Sequence, residues 1–379
     1  MTPSLLVAVL RAPEKARHLT LVEWDLLLRQ ATSAQLMPAL VHLCDTAQLS
    51  DALPAQVVPH LAWMRVRMER HAAAVRFEIA RIKLAIADLQ IPLLLLKGAA
   101  YSATGLGPAQ GRLFSDIDIM VPKAQLADVE AALMLHGWIG NVQDAYDQRY
   151  YRQWMHELPP LQHMRRHSVI DVHHAILPET ARVRPDPVLL RAAAVDVPGM
   201  PGVQTLAPAD MVLHSAVHLF YDGEFDKGLR DLVDLHRLLT QFGAMPGFWE
   251  ALPARAAQLQ LARPLFYALR YSTALLHTPV PASAIAAMSF AAPSAVLLAL
   301  MDGLFLRGLQ PLHASAADGL SGIARGMLYV RGNWLRMPPI LLARHLFHKA
   351  FISRTPDSAS LDASSTICCT GRETSDPRV

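Results

Sequence analysis

The feature that most constrains the fold of this chain is one alternating run: Leu113-Phe114-Ser115-Asp116-Ile117-Asp118-Ile119-Met120-Val121. Successive side chains of a strand point to opposite faces, so Asp116 and Asp118 leave one face and Ile117 and Ile119 the other. Such a strand needs sheet partners. Upstream, Leu93 to Leu96 is wholly apolar and reads as a buried strand that runs into a turn at Lys97-Gly98. Downstream, Val169-Ile170-Asp171-Val172-His173 is a further strand candidate, again with its polar groups on one face.

Helical patterns surround these strands. Residues 18–90 read as all-helical. Thr20 followed by Glu23 is a capping-box pattern. After Pro59, Leu61, Met64, Met68, Ala72, Val75, Ile79, Ile82, Ile86 and Leu89 step by three or four, as on a packed helix. Residues 124–136 suit an amphipathic helix, with Gly137 as its C-terminal cap. Residues 178–208 carry six prolines and suit a connecting region. From Asp210 the helical period returns and persists to about Phe351. Ser353 to Val379 is polar, with little to bury, and is expected to be a disordered tail. The expected division is 1–90, an N-terminal helical region; 91–180, a catalytic core; 181–352, a C-terminal helical domain; and 353–379, the tail.

Composition excludes several classes. At 52% hydrophobic and 18% charged, the 379 residues can bury a large core. A net charge of +3 argues against a nucleic-acid coat. Cys44, Cys368 and Cys369 cannot form a disulfide framework, which fits a reducing cytoplasm. Leu5 to Leu10 lacks the basic flank and cleavage site of a signal peptide. No apolar run reaches the roughly 18–20 residues that span a bilayer.

The chemistry concentrates in the acids. Asp116 and Asp118 share a strand face with Cβ atoms about 6–7 Å apart. Two carboxylates that close repel unless a cation or partner compensates. Mg²⁺ prefers one or two carboxylates plus substrate phosphates. The Lys97-Gly98 turn leads into a helix and presents free N–H groups to an anion. Asp171 adds a third acid. A phosphate cradle, an acid pair and a third acid are the components of two-metal phosphoryl chemistry.

The run LLLLKGAAYSATGLGPAQGRLFSDIDIMV resembles the nucleotidyltransferases of the polymerase β superfamily. More narrowly, Lys97-Gly98, Arg112, Asp116, Asp118 and IDVHHAI look like a bacterial group of uncharacterised nucleotidyltransferases. The resemblance covers roughly residues 60–250, with HSAVHLF and LRDLVDLHRLL as weaker segments. It implies an α+β fold: a small mixed β-sheet core, flanked by helices, with a helical domain closing over the nucleotide. Asp116 and Asp118 would bind both Mg²⁺ ions (or Mn²⁺). Asp171 would complete the site for the metal that activates the attacking hydroxyl. Gly98 would lie under the phosphates of an NTP. Ala99 departs from the superfamily pattern, so a hydroxyl contact to phosphate is missing unless Ser102 or Ser115 supplies it.

Other residues carry two readings each. Lys97 contacts a β- or γ-phosphate, or lies on a surface rim. Arg112 pairs with Asp116 or clamps a phosphate. His173, on the face of Asp171, contacts substrate, orients Asp171 or is structural. His214 and His218 have metal-ligand spacing on a helix but lack the Glu of a zinc protease motif; the alternative is a helix face turned to the active site. Arg230, Asp231 and Asp234 suit an ion-paired face against the catalytic core. His163 to His167 suits a hairpin turn, in solvent or meeting an acidic acceptor.

The leading expectation is a cytoplasmic enzyme that moves an NMP group from an NTP to an acceptor, which the sequence leaves open among small molecules, sugars and peptides. No nucleic-acid partner and no transmembrane segment are expected. The rivals are a non-catalytic nucleotide sensor, motivated by Ala99, and a peripheral membrane subunit, motivated by Arg336 to Lys349.

Overall fold

The computed structural model describes residues 3–140 and 155–337. The expected tail from Ser353 and nearly all of the segment Arg336 to Lys349 lie outside the described residues.

Four helices lead the chain: α1 (Leu5–Arg11), α2 (Leu21–Ser33), α3 (Met37–Thr46) and α4 (Val58–Ala85). The capping box holds α2: the Thr20 hydroxyl accepts from the Glu23 N–H, and the Glu23 carboxylate accepts from the Thr20 N–H. Helix α4 starts at Pro59 in its first turn and buries Leu61, Met64, Val75, Ile79 and Ile82, as the periodicity predicts. The regular helix stops at Ala85, so Leu89 sits in a short 3₁₀ turn instead.

The sheet follows. Strands β1 (Leu93–Leu95), β2 (Asp116–Met120), β3 (Trp138–Gly140), β4 (Leu161–His163), β5 (Val169–His173), β6 (Val195–Asp196) and β7 (Val203–Thr205) form one mixed sheet in the order β3-β4-β5-β2-β1-β7-β6. Strand β2 is thus the middle of seven. It runs antiparallel to β1 and parallel to β5. Leu93 to Leu96, Ile117, Ile119, Ile170 and Val172 are all buried, which is why these segments read as apolar runs or strict alternations. Helix α5 (Lys97–Thr104) leaves the end of β1 and packs on β2 and α4. Helix α6 (Leu126–Leu135) packs on β3 and α4, and Gly137 follows it with a positive φ.

Two expectations need correction. The proline-rich stretch is not only a connection: it contains α7 (Pro187–Ala192) and then β6 and β7. Strand β7 pairs in parallel with β1, Leu93 opposite Val203. Strands of two and three residues are too short to show an alternation among prolines. The basic turn after β4 is a hairpin, as expected, but Arg166 is not left to solvent. Its guanidinium pairs with Glu78 on α4 at 2.6 Å and lies over the Trp138 ring at 4.9 Å.

The remaining helices among the described residues are α8 (Pro208–Asp222), α9 (Gly228–Phe242), α10 (Phe248–Gln258), α11 (Ala262–Leu276), α12 (Ala282–Ala287), α13 (Ala295–Gly308) and α14 (Ser321–Arg336). Helix α8 is buried almost all round and touches α9, α10, α11 and α14. No described helix is long and apolar enough to cross a membrane.

One buried ion network ties the loop before β2 to α9. The Arg112 guanidinium hydrogen-bonds Asp234 and lies 3.6 Å from Asp231, which also receives Arg230 at 2.8 Å. The expected face of Arg230, Asp231 and Asp234 is therefore present, and Arg112 is its counterpart across the boundary. The alternative partner considered for Arg112, Asp116, is not the one it takes. Burial opposes ionisation of both acids. Arg230 and Arg112 overcome it at Asp231, whose carboxyl is held at about 2, while burial still raises Asp234. Removing one member of such a network strands a buried charge, at about 3–5 kcal/mol. Arg112→Ala is therefore expected to lower unfolding free energy by about that amount in denaturant titrations, and a surface change such as Arg29→Ala to leave it within about 0.5 kcal/mol.

Candidate active site

The parallel register of β2 and β5 builds the site. It places Asp118 directly opposite Asp171 and Met120 opposite His173. Aligned residues of parallel strands share a face, and neighbouring strands lie about 4.8 Å apart. Asp116, Asp118, Asp171 and His173 consequently converge on one face in the middle of the sheet. One carboxylate oxygen from each of Asp116, Asp118 and Asp171 lies within 4.8 Å of the others, a spacing that could hold a metal ion.

The three acids differ in environment. Asp118 is 3% exposed and accepts two charge-assisted hydrogen bonds on the same oxygen, Oδ1. Lys97 Nζ donates at 2.8 Å, and His173 Nε2 at 2.9 Å. Burial alone would raise the Asp118 carboxyl, but Lys97 and His173 outweigh it and hold the group far below the usual carboxylate range. Asp171 has no such help. Its Oδ1 is buried without a hydrogen-bond partner. Burial, with Asp118, Glu157 and Asp116 all adding negative charge, pushes its carboxyl up to about 8. Asp116 is half-buried, with the exposed Ser115 hydroxyl 3.4 Å from its Oδ1.

Lys97 has an unusual backbone. Its φ is +42°, in the left-handed region that a residue with a Cβ adopts only at a penalty of about 1–2 kcal/mol. It is the first residue of α5, immediately after β1, and its side chain turns back onto Asp118. The Lys97 ammonium is held beside the acids instead of on a surface rim: burial opposes its charge, but Asp118 raises its proton affinity and keeps the ammonium in place. Gly98 comes next. A Cβ there would lie 2.7 Å from the Phe114 ring, which in turn meets His71 edge-on at 4.6 Å. Gly98 is therefore required for α5 to approach the start of the acid strand closely. Arg112 is held by Asp231 and Asp234 of α9, as described.

Two contributors were not singled out in the sequence. Glu157 pairs opposite His173 in a β-bridge, and its Oε2 lies 3.1 Å from His173 Nδ1. His156 stacks at a tilt on His173, with ring centroids 5.3 Å apart. Neither belongs to a strand with an alternating pattern, so only the adjacent His-Glu pair itself could have drawn notice. His214 and His218 lie on α8. Burial lowers the proton affinity of both, and the Lys97 charge lowers it further, which places them around the site. His218 Nδ1 lies 3.7 Å from Asp231. Among the described residues the two histidines join no group of three possible metal ligands.

The arrangement can concentrate negative charge at one spot of a rigid sheet and present it to a hard cation. Asp171 supports that use. An unpartnered buried carboxylate oxygen is a vacancy in hydrogen bonding that a cation fills with the right sign.

Residues 20–277 match the sequence pattern of a family described as uncharacterised nucleotidyltransferases. No curated protein and no solved structure matches the chain. The matched span takes in the sheet, the acid triad and helices α2 to α11, more than half of the 379 residues, and on that basis the chain belongs to the uncharacterised nucleotidyltransferase family.

Proposed function

We propose that this protein transfers a nucleoside monophosphate group from an NTP to an acceptor hydroxyl or phosphate, by in-line attack on the α-phosphate with pyrophosphate leaving. The observation that carries the reading is the register of Asp118 against Asp171, with Asp116 beside them and Asp171 Oδ1 unpartnered. In this reading Asp116, Asp118 and Asp171 hold the divalent cations, Mg²⁺ or Mn²⁺. Bound there, such ions supply charge neutralisation at the phosphate oxygens and acidify the attacking group.

The chain's own residues do the rest. Lys97 and His173 fix the Asp118 carboxylate through one oxygen, Oδ1. Asp171, opposite Asp118, is the carboxylate placed to take the acceptor's proton. The first amides of α5, at Lys97, Gly98 and Ala99, have no partner within the helix and offer donors to a phosphate. The Ser115 hydroxyl, exposed beside Asp116, takes the role that Ala99 cannot fill. Arg112 keeps α9 registered on the catalytic part instead of touching the nucleotide.

Nucleotide binding without turnover is the second reading. Its support is specific: Lys97 already neutralises Asp118, and Ala99 lacks a hydroxyl. Calorimetry with each NTP and Mg²⁺, run beside a pyrophosphate-release assay, separates the two.

Asp116→Ala and Asp118→Asn are expected to lower pyrophosphate release by on the order of 10²–10³-fold or more while the fold survives. Asp118→Asn keeps the volume and one acceptor for Lys97, so its circular dichroism should match the wild type. Undiminished release in either variant would refute the assignment.

A pH dependence follows from Asp171. Its folded carboxyl is raised above the unfolded value of 3.8, so the fold favours the protonated form. That opposes stability as pH rises from 3.8 towards about 8. A cation requires the ionised form and must displace the proton. Mn²⁺ affinity is therefore expected to rise with pH and level off near 8, read by calorimetry. Asp171→Asn should abolish that rise and, in metal-free protein at pH 8, raise the melting temperature by about 2–4 °C.

A further inference from the structure

We propose that His156, Glu157 and His173 form a second cation site, for zinc or a similar late first-row dication, distinct from the acid triad. The inference is independent of nucleotidyl transfer, and either can fail without the other.

The geometry is convergent. Glu157 Oε2 lies 3.1 Å from His173 Nδ1 and 4.0 Å from His156 Nε2. One ligand atom from each of the three residues lies within 4.8 Å of the others. Zinc–ligand bonds of about 2.0–2.2 Å bring tetrahedral ligand atoms to separations of just over 3 Å, so a small inward rotation of His156 completes the set. The backbone fixes the positions. Glu157 bridges His173, the Leu158 N–H bonds the Val172 carbonyl, and the His174 N–H bonds the His156 carbonyl.

Hydrogen bonding supplies the second observation. His173 is 2% exposed, and its Nε2 bonds the ionised Asp118. A carboxylate accepts, so Nε2 carries a proton there, and Nδ1 is the ring atom left facing Glu157. That buried Nδ1 makes no hydrogen bond, although the Glu157 oxygen is 3.1 Å away. A ring nitrogen and a carboxylate oxygen thus face each other without a hydrogen bond, and a cation between them would bind both once Nδ1 gives up any proton. The Asp118–His173 bond is also the usual outer support of a metal-bound histidine, since it sets the tautomer and aims the ring.

Ligand chemistry selects the metal. Two imidazoles and one carboxylate suit zinc, whereas Mg²⁺ takes oxygen ligands, as in the acid triad. Three protein ligands leave a coordination position open. Because His173 links the two groups, a cation at Nδ1 would hold the Asp118 carboxylate from behind while the triad works in front.

The test uses full-length protein stripped with a chelator and titrated with Zn²⁺ in excess Mg²⁺, by calorimetry and by metal analysis after desalting. One equivalent of Zn²⁺ is expected. Glu157→Gln and His156→Ala should each weaken it by at least about 10-fold, and Asp171→Asn should leave it in place. Co²⁺ as a coloured substitute should give visible bands of a nitrogen-ligated ion in wild type and in Asp171→Asn only. A Zn²⁺-dependent rise in melting temperature, present in wild type and lost in His156→Ala, separates lost binding from lost folding. Absence of Zn²⁺ binding in excess Mg²⁺ would overturn the proposal, as would binding that disappears in Asp171→Asn but persists in Glu157→Gln and His156→Ala. A proton shared between His173 and Glu157 would then be the bond that holds them.

Discussion

The pairing of β2 with β5 forces like charges together, and much of the structure answers that constraint. Parallel register sets Asp118 against Asp171 in the middle of the sheet. Both strands are buried on their other face by Ile117, Ile119, Ile170 and Val172, so a slip of one residue would turn the aliphatics to the polar side and the acids into the core. The register is thus fixed by hydrophobic burial, and the electrostatic consequence has to be absorbed locally. Lys97 and His173 absorb it for Asp118. For Asp171 only a proton or a cation can.

Those compensations are asymmetric in a useful way. Asp118 is ionised and immobile before any ligand arrives, which preorganises one part of the charge cluster. The Asp171 carboxyl, pushed up to about 8 by burial and the neighbouring acids, stays open to a proton or a cation. The left-handed backbone of Lys97 fits the same account. Local strain at the start of α5 places an ammonium where the sheet most needs positive charge. Gly98, pressed under Phe114, lets that turn sit close to the acid strand.

The parts legible in the sequence were those with a period. The alternation of residues 113–121, the apolar run before Lys97, the strand at 169–173 and the long helix after Pro59 each show a repeat that burial imposes, and each is present within a few residues. The carboxylates came with them, because an acid alternating with isoleucine fixes its own face. What stayed hidden depends on tertiary position. Strands β6 and β7 are too short to carry a pattern. Arg112 reads as a free cation near the acids until α9 folds across and offers Asp231 and Asp234. Glu157 matters only because its backbone bridges His173, a pairing no local spacing announces.

The most direct test of the account follows the label of the nucleotide. NTPs labelled separately at the α- and γ-phosphates, incubated with Mg²⁺ and fractionated lysate, distinguish the group that moves. The account predicts that the α-label becomes attached to an acceptor while the γ-label leaves as pyrophosphate. Transfer of the γ-label, or release of inorganic phosphate in place of pyrophosphate, would contradict it.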